Sequence, residues 1–164
     1  MTEEQRLFLV QAKADFVVFT LLKENQKLPR CHALHYLQMA TELLGKASSW
    51  KDGPVAKSHK ALVRFLRGLV SNKQAQRQLG YLGQNQNWIQ TIRKLTPLAE
   101  SIQQLAPALA NDGPNAEYPW PPDAPTKTPV EFDFPIWKEL TDTVLGKELL
   151  KLLKNLFENA EEYM

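Results

Sequence analysis

Residues 29–69 read PRCHALHYLQMATELLGKASSWKDGPVAKSHKALVRFLRGL. Two helical periods sit in this stretch, with a turn between them. Ala33, Tyr36, Leu37, Ala40, Leu43, Leu44 and Ala47 recur at three- and four-residue spacing, which predicts a helix over about 30–48 with one apolar face. Pro29 breaks the chain just before it. Asp52-Gly53 is a turn signal, and Pro54 suits a first helical position, where no N–H is needed. A second helix over about 54–71 then carries Val55, Leu62, Phe65, Leu66 and Leu69 on a shared face. The stretch is therefore a helical hairpin.

The rest of the chain repeats the pattern. Thr2 and Gln5 have capping-box spacing, so a first helix starts at Thr2 and continues to about Gln26. Its stripe of Leu7, Val10, Ala14, Val17, Leu21 and Leu22 is widened by Phe8, Phe16, Val18 and Phe19 beyond one face. Such a helix is either central to the core or covered by a second subunit. After the hairpin, residues 73–79 suit a short helix interrupted by Gly80 and Gly83. Residues 85–109 suit a longer one in which Thr96-Pro97 predicts a kink or restart.

Residues 111–135 hold seven of the eleven prolines. Tyr118, Trp120, Phe132 and Phe134 give this segment more apolar area than a disordered linker carries, so it is expected to lie extended across the bundle, anchored by these rings. A final amphipathic helix is expected over about 135–160. No strand-like alternation and no internal repeat appear. The expected fold is all-α: an up-and-down bundle of four to five helices in a single domain, residues 1–164, with a long proline- and aromatic-rich crossover before the last helix.

Composition bounds the function. A net charge of +2 demands no nucleic-acid partner, so local clustering matters more. Cys31 is the one cysteine, which excludes an internal disulfide and a thiolate cluster and suits a reducing compartment. The polar, partly acidic start is unlike a signal peptide, and the longest apolar run falls far short of the roughly 20 residues a span needs. A cytoplasmic protein without membrane contact is expected.

No glycine-rich phosphate cradle, His-Glu-x-x-His pattern or nucleophile elbow occurs, and the histidines lack ligand spacing, so neither cofactor nor metal is expected. The charge cluster is more informative. From Lys46 to Arg77 there are eight Lys or Arg residues and a single acid, Asp52. Lys57, Lys60, Arg64 and Arg67 fall within an arc of roughly 80° opposite the apolar stripe of the 54–71 helix. Such a ridge suits the phosphates of a nucleotide or RNA, with His59 as a pocket residue beside it. The competing reading is a solvated face whose aliphatic stems cover apolar surface, with His59 bonded to a neighbouring helix. His35 projects away from the Ala33/Leu37/Ala40 stripe and is expected to be exposed.

The order of elements resembles the HEPN superfamily of small helical domains. The residues that carry the likeness are Ala-Lys-Ala-Asp (12–15), His-Tyr-Leu-Gln-Met-Ala-Thr-Glu-Leu-Leu (35–44), Ser-His-Lys-Ala-Leu (58–62) and Asn-Ala-Glu-Tyr-Pro (115–119). The resemblance implies a bundle that is usually a homodimer, and either a ribonuclease toxin of a toxin–antitoxin pair or the partner of a small nucleotidyltransferase. Catalytic members carry Arg, four to six residues, then His, in a late helix. Here the final helix has no histidine, and the one formal match is Arg30 to His35. Five positions apart on a helix, these two subtend about 140° and do not meet within one chain. The reading is a non-catalytic, homodimeric protein that binds a nucleotide or other polyanion. The alternatives are a ribonuclease using Arg30 and His35, and a protein-interaction module without a small ligand.

Overall fold

The computed structural model describes residues 1–49, 59–121 and 127–163, and the fold is all-α. Its helices are α1 (Glu3–Glu24), α2 (Arg30–Ser49), α3 (Ala61–Leu69), α4 (Lys73–Gln78), α5 (Asn85–Gln103), α6 (Pro107–Ala110), α7 (Pro135–Asp142), α8 (Val144–Glu158) and α9 (Ala160–Tyr163). No strand occurs among the described residues; one antiparallel bridge joins Trp120 to Lys127.

The expected capping box is present. Thr2 Oγ1 accepts from Gln5 N at 3.2 Å, and Gln5 Oε1 accepts from Thr2 N at 2.7 Å, which satisfies two donors at the start of α1. The Gln5 amide also donates to Ala47 O at 3.0 Å, tying the start of α1 to the end of α2 and fixing the pair as antiparallel.

Helix α2 packs against α1, α3 and α5, so it is buried on most sides. Gly45 lets α3 approach: a Cβ there would lie 2.5 Å from the Ala61 carbonyl carbon. Two side-chain bonds hold α5 antiparallel to α3. Gln103 Oε1 accepts from Val63 N at 3.0 Å, and Trp88 Nε1 donates to Leu69 O at 3.0 Å. Helix α8 closes the other side through Leu149, Leu152, Leu153, Leu156 and Phe157, and the Phe157 ring stacks on Phe16 of α1 at 4.3 Å.

Several boundaries differ from the sequence-based expectation. His59 and Lys60 form a turn, so α3 starts at Ala61, and residues 54–58 lie outside the described residues. Helix α5 does not restart at Pro97. The proline ring faces solvent, while Ile92, Leu95, Leu98, Ala99 and Ile102 bury one continuous face on both sides of it. That burial outweighs the roughly 3 kcal/mol cost of an interior proline. The last helix is broken at Thr143, whose hydroxyl accepts from Gly146 N at 2.9 Å and caps α8. The break makes α7 and α8 touch: a Cβ on Gly146 would lie 2.5 Å from Leu140 Cα.

The described parts of the crossover pack against the bundle, and residues 122–126 lie outside the described residues. Trp120 and Phe134 are buried, and the Phe132 ring meets both edge-on, at 5.3 Å and 4.8 Å. Tyr118 is not an anchor; it is 60% exposed. The first helix also departs from its expected stripe. Leu9, Ala12 and Phe19 face the core, whereas Leu7, Val10, Ala14, Val17 and Leu21 are exposed.

Candidate functional site

Lys60, Arg64 and Arg67 line one open groove of about 440 Å³ between α3 and α5. Their spacing puts them on the α3 face opposite Leu62, Phe65, Leu66 and Leu69, which are buried. Val63, Glu100, Gln103, Gln104 and Leu109 complete the lining. Helix α3 has no side-chain cap of its own at Lys60; the bond from Val63 N to Gln103 Oε1 serves instead. The groove therefore combines three cations, the positive end of a helix and two amides, a set suited to an anion. One carboxylate of the lining, Glu100, opposes Arg67. Glu100 Oε1 lies 3.5 Å from Arg67 Nη2, with both side chains more than half exposed, so the pair is screened and weak. Among the described residues no carboxylate pairs with Arg64. Lys57 lies outside the described residues.

His59 takes a different place. Its Nδ1 is 2.8 Å from Oε2 of Glu42 on α2. Glu42 is buried and also accepts from Gln38 Nε2 at 2.8 Å and from Lys46 Nζ. Burial pushes the Glu42 carboxyl up, but the bonds and charges of Lys46 and His59 outweigh it and leave the group below its ordinary value. This is a structural charge cluster between α2 and the turn before α3. It orients that turn, and it engages the Nδ1 of His59. The spacing of Gln38, Glu42 and Lys46, four residues apart each time, was a legible signal for it.

A second polar cluster joins α1, α2 and the crossover. His35 is half-buried rather than exposed, because residues 115–118 cover its face of α2. Asn115 Oδ1 accepts from Glu117 N at 3.0 Å and Tyr118 N at 2.8 Å, shaping a tight turn that sets Glu117 against α2. Glu117 Oε1 then lies 3.6 Å from His35 Nδ1, within ion-pair reach but too far for a hydrogen bond. That nitrogen is otherwise buried without a partner. Asp15 of α1, 6% exposed, accepts from Gln11 Nε2 at 2.8 Å. Burial pushes its carboxyl up, while the Gln11 bond and the charge of His35 pull it down. Sequence reasoning misses Asp15 and Glu117 as site residues, since nothing in their spacing says that three distant segments converge.

Arg30 and His35 are divided between different neighbours. Arg30 Nη1 donates to Asp133 Oδ1 at 3.2 Å and its guanidinium stands 5.7 Å from the Trp137 ring centre. Among the described residues no group of three His, Cys, Asp or Glu side chains is arranged to hold a metal ion, and no helix is long and apolar enough to cross a membrane.

No family model matches the chain, and neither a curated protein nor a solved structure does. The likeness to the HEPN superfamily rests on residues 12–15, 35–44, 58–62 and 115–119 alone.

Proposed function

We propose that this chain is a HEPN-like, non-catalytic helical protein that binds a phosphate-bearing ligand, a nucleotide or a short stretch of RNA, in the groove between α3 and α5. The observation that carries the reading is the convergence of Lys60, Arg64 and Arg67 on one groove of about 440 Å³. That volume falls in the range of ligand sites, roughly 300–1,000 Å³. Lys60 and Arg64 contact phosphate oxygens at the start of α3, and Arg67 exchanges its weak pairing with Glu100 for the ligand. Gln103 and Gln104 offer amide donors and acceptors for a base or ribose. His59 acts by holding the turn before α3 through Glu42 rather than by touching the ligand. Catalysis through Arg30 and His35 is left out, because the two side chains engage Asp133 and Glu117 respectively.

Titration with ATP, GTP and a short single-stranded RNA at several salt concentrations tests the reading. Three cations on three phosphates of a single strand predict a log–log salt slope of about −2. Absence of binding, or binding indifferent to salt, contradicts it.

A further inference from the structure

We propose that the outer face of α1 is where a second copy of this chain docks, helix against helix and antiparallel. Four of the large apolar side chains left exposed among the described residues share this one face: Leu7 and Val10 at 54%, Val17 at 58% and Leu21 at 67%. Single exposed apolar residues are ordinary, whereas a contiguous row marks an interaction surface. With Ala14, the row falls at positions 7, 10, 14, 17 and 21, a three–four alternation that averages 3.5 residues per turn. That is the spacing of a helix–helix seam, and it runs for about 21 Å along the helix. The core satisfies the opposite face of α1, through Leu9, Ala12 and Phe19, and leaves this one uncovered.

The occupant follows from the order of residues. Leu-Val-Ala-Val-Leu reads the same in both directions, with Leu7 and Leu21 each seven residues from Ala14. A two-fold interface needs one patch that complements itself. An antiparallel pair centred on Ala14 sets Leu7 against the second copy's Leu21 and Val10 near its Val17, and the small alanine at the axis lets the backbones approach. Charge selects the direction. The start of α1 carries Glu3 and Glu4 with Arg6, a net of −1, and its end carries Lys23 and Glu24 with Lys27 just beyond, a net of +1. Antiparallel docking brings acidic ends to basic ends and opposes the helix dipoles, while parallel docking stacks like on like. Beside the seam, Phe16, Val17, Leu21 and Phe157 line an apolar groove of about 440 Å³ between α1 and α8, which widens the surface a second copy would cover. This inference is independent of the anion-binding reading, since the α3–α5 groove shares no residue with it.

Light scattering on the full chain at micromolar concentration is expected to give about twice the monomer mass of 18.7 kDa. The Val10→Arg/Val17→Arg variant should halve that mass, keep its helical circular dichroism because both residues are exposed in the single chain, and lose the dependence of its melting temperature on protein concentration. Oxidative cross-linking reads the direction. Cys31 is buried, so an introduced thiol is the reactive one. An equal mixture of Leu7→Cys and Leu21→Cys chains should cross-link, and Leu7→Cys alone should not. A monomer across the micromolar range, or a dimer that survives the double arginine substitution, overturns the interface. Cross-linking of Leu7→Cys to itself overturns the antiparallel arrangement.

Discussion

His59 Nδ1 sits 2.8 Å from Oε2 of Glu42, a carboxylate buried on α2. The histidine that stands next to a basic ridge in the sequence is thus turned inward, and it fastens the approach to α3 to the largely buried helix α2. Glu42→Gln should cost about 2 kcal/mol at neutral pH, the range for hydrogen bonds to charged partners. The folded value of Glu42 lies below its ordinary 4.5. Its contribution is therefore present above 4.5 and is lost as pH falls through the lower, folded value. Urea unfolding of both proteins across that range should show the stability gap closing in acid. A gap that stays constant would show that the charge of Glu42 is not what matters.

Asp15 has the opposite sign. Burial raises its carboxyl above the ordinary 3.8, so ionising it costs the folded state. Its favourable contribution is complete below 3.8 and fades as pH rises through the folded value. Asp15→Asn keeps the acceptor for Gln11 and removes the charge. The variant should melt at or above the wild-type temperature at neutral pH, and the difference should vanish at pH values below 3.8. A large loss at neutral pH would mean that the Asp15 charge is held by His35 more strongly than its burial opposes it.

Two glycines should respond oppositely to alanine. Gly146 is where α7 and α8 touch, and the added methyl would press on backbone that cannot move aside. Gly146→Ala is expected to cost about 3 kcal/mol, the upper end of overpacking. Gly68 is exposed in α3 with nothing within 4 Å of an added Cβ. Gly68→Ala should stabilise by about 0.5–1 kcal/mol, the helix-propensity difference. Thermal melts of the two variants check both signs.

Gln103 caps a helix from another helix. Removing its carbonyl leaves Val63 N–H buried and unpaired, so Gln103→Ala should cost about 1–2 kcal/mol. The start of α3, with Lys60 on it, would loosen first. Amide hydrogen exchange at Val63 should rise more than exchange at Leu69, whose carbonyl stays bonded to Trp88. Equal increases at both sites would contradict this assignment.

The main helices were legible because their signals are local. The Thr2/Gln5 box, the α2 stripe and the breaks at Pro29 and Pro135 each depend on residues a turn or two apart. What was hidden depends on tertiary approach. Thr143 looks like one more residue of a continuous helix until its hydroxyl is seen capping Gly146, and Pro97 reads as a break until its solvent-facing ring is seen. In α1 two apolar stripes compete, and only packing decides that Leu9 and Phe19 face inward and Leu7 and Val17 outward. The site divides the same way. Lys60, Arg64 and Arg67 share a helix face, so spacing was enough to group them. Glu100 and Gln103 reach their groove from a different helix, and Glu117 meets His35 from far along the chain, which no spacing rule connects.

The most direct measurement is fluorescence anisotropy of a labelled single-stranded RNA titrated with the wild-type protein and with the Lys60→Glu/Arg64→Glu variant at matched salt. Both residues are exposed, so melting temperature and helical signal should be unchanged. The account predicts that the variant binds at least about tenfold more weakly, with a salt slope shallower by about one for each phosphate left without its cation. Equal affinity and an equal slope for the two proteins would contradict it.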